Sequence, residues 1–164
     1  TVNYDLWPDL AKTILLCLMV VGSCAGSTAG GLKVSRVILM FKNMGRELKH
    51  LVRPNSVNVV RMDGEAVPTE TQRRVSNYVC MYVSFIAVSV LLISFEGFGF
   101  ETHFTSVLTC INNVGPGLAK VGPAENFTDF SVFSKILLSL NMLVGRLEIL
   151  PMLVFFTPTV WKKT

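Results

Sequence analysis

Between Val75 and Phe95 the sequence reads VSNYVCMYVSFIAVSVLLISF, 21 residues without a charge. A helix of about 20 residues crosses the roughly 30 Å apolar layer of a bilayer. Inside that layer only helices and closed barrels satisfy their own backbone hydrogen bonds. The run therefore reads as a membrane span, and it limits what its neighbours can be. The composition agrees: the 164-residue chain is 51% hydrophobic, only 16% charged, and has a mean hydropathy of +0.51. Soluble domains carry about a quarter of their residues as charges.

The net charge of +4 says less than its location. Nine basic residues lie between Lys33 and Arg74, against the acids Glu47, Asp63, Glu65 and Glu70. A basic patch raises the question of nucleic acid. Beside membrane spans, the excess of lysine and arginine in cytoplasmic loops is the more economical account. It places residues 42–74 in the cytoplasm and implies no nucleic-acid partner. Trp161, Lys162 and Lys163 repeat the signature, an interfacial aromatic followed by lysines. Within the basic segment, Asp63-Gly64 between short alternating runs predicts a small hairpin, and Thr69 with Gln72 fits a capping box that opens the next helix. The chain starts at Thr1 and shows no basic-then-apolar signal pattern, so the expectation is the middle or end of a longer protein.

Two breaks interrupt the apolar pattern. The first follows a helix expected from about Asp9 to Val21, too short to cross alone. There the chain runs through ten small residues: Gly22, Ser23, Cys24, Ala25, Gly26, Ser27, Thr28, Ala29, Gly30 and Gly31. A second helix resumes near Leu32 and continues into the cytoplasm. The second break is NNVGPG, residues 112–117, after a helix-like piece of about 11 residues, Glu101 to Ile111. Pro116 and the glycines bar the helix from continuing. A last apolar segment runs from about Phe133 to Trp161. The order of span, short helix, glycine loop and span describes a re-entrant hairpin entered from outside.

Non-helical backbone at membrane depth is tolerated only where it is buried in protein or faces water. Backbone carbonyls in such a stretch can replace the hydration shell of a potassium ion with no side-chain ligand. The last span also carries Arg146 and Glu148 near its middle. A charge there costs at least about 2.5–3.5 kcal/mol, so both face protein or water rather than lipid. Arg146 is expected to face a pore.

Other chemistries find little support. The phosphate-loop pattern fails because Leu32 stands where lysine is required and no strand precedes it. Cys17, Cys24, Cys80 and Cys110 show no metal-binding spacing and read as buried apolar thiols. His50 and His103 have no ligand partners at useful spacing. No nucleophile or acid–base pair is evident, so no enzyme is expected.

Three segments, GSCAGSTAGGLKVSR, NNVGPGLAKVGP and MLVGRLEILPMLVFFTPTVWKK, occur in this order. Together they resemble the carboxy-terminal portion of the Trk/Ktr superfamily of potassium-translocating membrane subunits, the TrkH/KtrB type. The resemblance implies an all-α integral membrane fold built from M1–pore helix–M2 repeats, with a broken M2 helix from the preceding repeat and a small cytoplasmic hairpin. Residues 1–50 would end the third repeat and 51–68 form the cytoplasmic linker. Residues 69–164 would be the fourth repeat, with M1 at about 70–95, the pore helix at about 101–111, the filter at 112–117 and M2 at about 132–161. On that resemblance Asn112, Asn113, Val114 and Gly115 form a quarter of a potassium filter, residues 22–31 are an intramembrane gate, and Arg146 contributes to the barrier. It further implies potassium as the transported ion with no bound cofactor, a homodimer in the bacterial inner membrane, and a cytoplasmic nucleotide-binding regulatory subunit of the TrkA/KtrA type. Membrane lipid and the remaining repeats of the same polypeptide would be the other partners. Lys120 and Ala119 depart from the expected surroundings of the filter. The competing reading is a membrane scaffold without transport, whose basic loop docks a partner or anionic lipid.

Overall fold

The computed structural model describes residues 2–22, 24, 26–27, 30–54, 59–62 and 64–147. Its elements in chain order are α1 (Asp9–Val20), α2 (Val34–Val52), a two-stranded hairpin of β1 (Arg61–Met62) and β2 (Glu65–Ala66), α3 (Thr69–Ile93), α4 (Phe100–Asn112) and α5 (Val132–Leu147). Single turns of 3₁₀ helix stand at Tyr4–Leu6, Ala119–Val121 and Phe127–Asp129.

The charge-free run becomes α3, 25 residues long with mean hydropathy 1.9 in its most apolar window. Among the described residues it is the one helix long and apolar enough to cross a bilayer. At 12 residues and about 1.5 Å per residue, α1 reaches only about 18 Å. Val21 and Leu32 form an isolated parallel bridge, and the Gly22 N–H donates to the Leu32 carbonyl at 2.8 Å. The break between α1 and α2 is thus closed at its base, and residues 22–31 leave and return at one point.

α4 is the centre of the molecule. Ten of its residues are buried, and it packs on α5, α3 and α1. Val107 and Cys110 meet Val90, Ile93, Val121, Phe130 and Leu138 in one apolar cluster, and Ile111 meets Leu32, Tyr78, Tyr82 and Val144 in a second. α3 and α5 are tied by a buried hydrogen bond from the Ser89 hydroxyl to Asn141 Oδ1, at 3.1 Å.

Several local expectations change. The hairpin forms, with Arg61 opposite Ala66 and Met62 opposite Glu65, and Gly64 takes φ +88°. The capping box does not form. Pro68 is the N-cap of α3, and buried Gln72 instead accepts from Arg46 at 2.5 Å and donates to the Val67 carbonyl at 2.8 Å. Its amide is spent on α2 and the linker, leaving nothing for the helix start. Of the cysteines only Cys110 is buried; Cys17 on α1, Cys80 on α3 and Cys24 in the break between α1 and α2 are exposed.

Candidate functional site: a re-entrant turn above a broken helix

α4 ends at Asn112, one residue past the expected Ile111, with Asn113 as its C-cap. Asn113 adopts the left-handed conformation, φ 54°, and the Val114 N–H reaches back to the Thr109 carbonyl at 3.0 Å. Asparagine is one of the few residues besides glycine that takes this position readily at a helix end. The chain then returns upward through Val114, Gly115 and Pro116. Gly115 has φ +110°, a conformation that favours glycine.

Hydroxyls of α4 hold the returning strand. Thr109 donates to the Pro116 carbonyl at 3.2 Å, and Thr105 receives the Leu118 N–H at 3.3 Å. The N-terminal segment clasps the outer end: the Tyr4 hydroxyl donates to the Gly117 carbonyl at 2.8 Å, and Asp5 accepts the Ala119 N–H at 3.3 Å. Between these anchors the carbonyls of Asn113, Val114 and Gly115 accept no hydrogen bond from any described residue. Val114 and Gly115 are exposed. The turn is therefore braced on both sides while its three central carbonyls stay available. Unpaired carbonyls are costly in an apolar medium, and an ion or water relieves that cost.

The two asparagines face the broken helix. Asn112 is buried, its Oδ1 accepts from the Tyr82 hydroxyl at 2.7 Å, and the same oxygen lies 2.6 Å from where a Cβ on Gly31 would stand. Asn113 Nδ2 donates to the Met142 carbonyl at 3.1 Å and would lie 2.9 Å from a Cβ on Gly30. Gly31 has φ +85°. Glycine at 30 and 31 lets the end of the small-residue segment sit directly against the base of the turn. Gly22 and Gly30 are themselves close, with the Gly30 carbonyl 2.7 Å from a Cβ on Gly22.

α5 approaches on the other side through Gly145, where a Cβ would collide with the Ile111 carbonyl. Arg146 follows in the last turn of α5, exposed and without an ion pair among the described residues. Asn112, Asn113, Gly30, Gly31 and Gly145 thus converge on the C-terminal end of α4, while Val114, Gly115 and Arg146 are exposed beside it. Cys24, Gly26 and Ser27 are described and at least partly exposed. Ser23, Ala25, Thr28 and Ala29 lie outside the described residues, as do Glu148, the rest of the last span and the Trp161–Lys163 tail.

Four contributors escaped the sequence reading. Tyr82 gives no signal within an unbroken apolar run. Gly145 is an isolated glycine in a helical pattern, a mark of close backbone approach that could have been read. Tyr4 and Asp5 act across more than a hundred residues of sequence, beyond any local pattern.

A short buried helix packed beside a helix long and apolar enough to cross a membrane, followed by a turn whose carbonyls accept nothing from the described residues, is the pattern of a helical membrane protein. Residues 1–163 match the family model TrkH, cation transport protein. The chain is 43% identical over 157 residues to the Trk system potassium uptake protein TrkH of Escherichia coli K12, covering 96% of this chain and 32% of the relative. It is 36% identical over 162 residues to TrkH of Vibrio parahaemolyticus, covering 99% and 33%. The crystal structure of the potassium transporter TrkH from Vibrio parahaemolyticus superposes with a TM-score of 0.85 at 37% identity, covering 95% of this chain and 33% of that one. The chain belongs to the TrkH family of cation transport proteins and so to multi-pass proteins of the plasma membrane. It spans about a third of the length of the curated relatives it matches.

Proposed function

We propose that this chain supplies one pore-loop repeat, and the gated half of the preceding one, to a Trk-type protein that takes up potassium. The observation that carries this reading is the set of free carbonyls at Asn113, Val114 and Gly115, braced by Thr105, Thr109, Tyr4 and Asp5. Carbonyl oxygens held at fixed positions coordinate a dehydrated monovalent cation without a charged side chain. Asn112 supports the filter from below through Tyr82. Residues 22–31 act as the gate, since their closing glycines sit against the base of the filter, and Arg146 adds a positive barrier beside it. The protein works as a homodimer with a cytoplasmic nucleotide-binding regulatory subunit, binds no cofactor through this chain, and catalyses no covalent reaction.

The test is potassium uptake by the full-length protein in a host deficient in potassium transport. Gly115→Ser is expected to reduce discrimination against sodium by about tenfold or more, because a side chain at φ +110° displaces the neighbouring carbonyls. Unchanged potassium-over-sodium preference sinks the filter assignment. Deleting Gly26 and Ser27 is expected to raise basal flux severalfold; reduced flux with normal expression rules out the gate. A well-expressed parent that supports no potassium-dependent growth favours the scaffold reading.

A further inference from the structure

The hairpin that follows α2 folds back beside it and leaves a cleft of about 330 Å³. α2 lines it with Lys42, Arg46 and Lys49, which fall on one stripe at spacings of four and three, and the hairpin adds Arg61 from the other wall. Gly45 keeps the helix side open, with nothing within 4 Å of where its Cβ would stand. The walls are braced. Lys42 Nζ donates to the Arg61 carbonyl at 2.9 Å, and Arg46 is held at 2.5 Å by Gln72, which is fixed in turn to Val67.

Among the described residues the charges around the cleft do not cancel. Glu47 pairs with Arg46 at 2.5 Å. Among the described residues no carboxylate pairs with Lys42, Lys49 or Arg61. Three uncompensated cations around a braced cleft of this size call for an anion. The setting narrows its class. α2 passes from the apolar run VILMF to Lys42 at this point, and Ile38 and Phe41, one turn apart, lie exposed on its bilayer side. A ligand that matches both surfaces carries a phosphate and a hydrocarbon chain together. We propose that the cleft binds the headgroup phosphate of an anionic phospholipid at the cytoplasmic membrane surface, its acyl chain running back toward the bilayer along Phe41 and Ile38. This rests on α2 leaving the bilayer near Lys42, not on the chain moving potassium.

The test is native mass spectrometry of the full-length protein in detergent, titrated with phosphatidylglycerol, phosphatidylcholine or inorganic phosphate. Phosphatidylglycerol is expected to stay bound in preference to phosphatidylcholine. Lys49→Gln with Arg61→Gln should weaken that retention by about fivefold per charge removed, and Lys49→Arg with Arg61→Lys should preserve it. Arg73→Gln with Arg74→Gln removes equal charge outside the cleft and should leave retention unchanged. Equal retention of both lipids overturns the proposal. So does equal loss from the two charge-removing pairs, which marks a diffuse surface effect. Displacement of bound phosphatidylglycerol by millimolar inorganic phosphate identifies a free phosphate as the ligand and overturns the lipid assignment. The readout does not depend on transport, so failure here and failure of the uptake experiment are separate.

Discussion

Gly145 shows how much one missing methyl group can decide. It lies in α5 where the Ile111 carbonyl leaves no space for a Cβ, so α5 comes into close backbone contact with the C-terminal end of α4 at this residue. Gly145→Ala is expected to force the helices apart at a cost of about 1–3 kcal/mol, the usual range for overpacking a tight contact. The measurement is the thermal unfolding midpoint of the full-length protein in detergent, and a midpoint equal to the parent's refutes the close approach. At this scale the sequence was partly legible. The charge at Arg146 drew attention to the right turn of α5, while its neighbour Gly145 carries the packing. Gly115 was recognisable because a turn at membrane depth needs glycine. Asn112, expected in the turn, is instead the buried last residue of α4, and its bond to Tyr82 depends on a partner thirty positions away.

Among the elements, the start of α5 depends on a group outside it. Glu96, just past α3, accepts the Ser131 N–H at 3.0 Å and the Ser131 hydroxyl at 2.6 Å. Burial pushes its carboxyl up, but the hydrogen bonds from Ser131 and Ser134 outweigh that and hold it below the ordinary 4.5. The folded state therefore favours the ionised form. The contribution is fully present above pH 4.5 and is lost as the pH falls through the depressed folded value. Amide protection over residues 132–135 is expected to be equal at pH 7 and pH 5.5 and to drop on stronger acidification. The drop should vanish in Glu96→Gln, which is already loosened at neutral pH; an unaltered acid step in that variant contradicts the assignment. Element existence was readable for a physical reason. A charge-free run of span length, a helix too short to cross, and ten consecutive small residues each leave few alternatives at membrane depth. Element ends were less so. α4 runs one residue past the expected Ile111 and closes on a left-handed Asn113, while α3 starts at Thr69 behind Pro68 without its capping box. In α3 a tertiary partner, Arg46, took the side chain of Gln72 that the local rule assigns to the helix start.

At the scale of the molecule, the exposed faces carry the message. Leu10, Ile14 and Leu18 of α1, and Phe133, Ile136 and Leu140 of α5, are exposed in this chain. Such faces find cover in lipid or in further protein. One turn offers one arc of carbonyls, and a ring is needed to replace a hydration shell. These 164 residues reconstituted alone in liposomes are therefore expected to give no potassium-selective flux, while the full-length protein does. Selective flux from the isolated segment would mean that it assembles its own ring. A last consequence belongs to the bridge between Val21 and Leu32. It makes the small-residue segment a tether with both ends nailed to one point, so displacing it need not shift either half-helix. Ten residues on such a tether have a contour that lets their midpoint travel no farther than about 17 Å from the anchor. Anything they reach must lie inside that radius, and a change in their number rescales the radius while leaving the bridge in place.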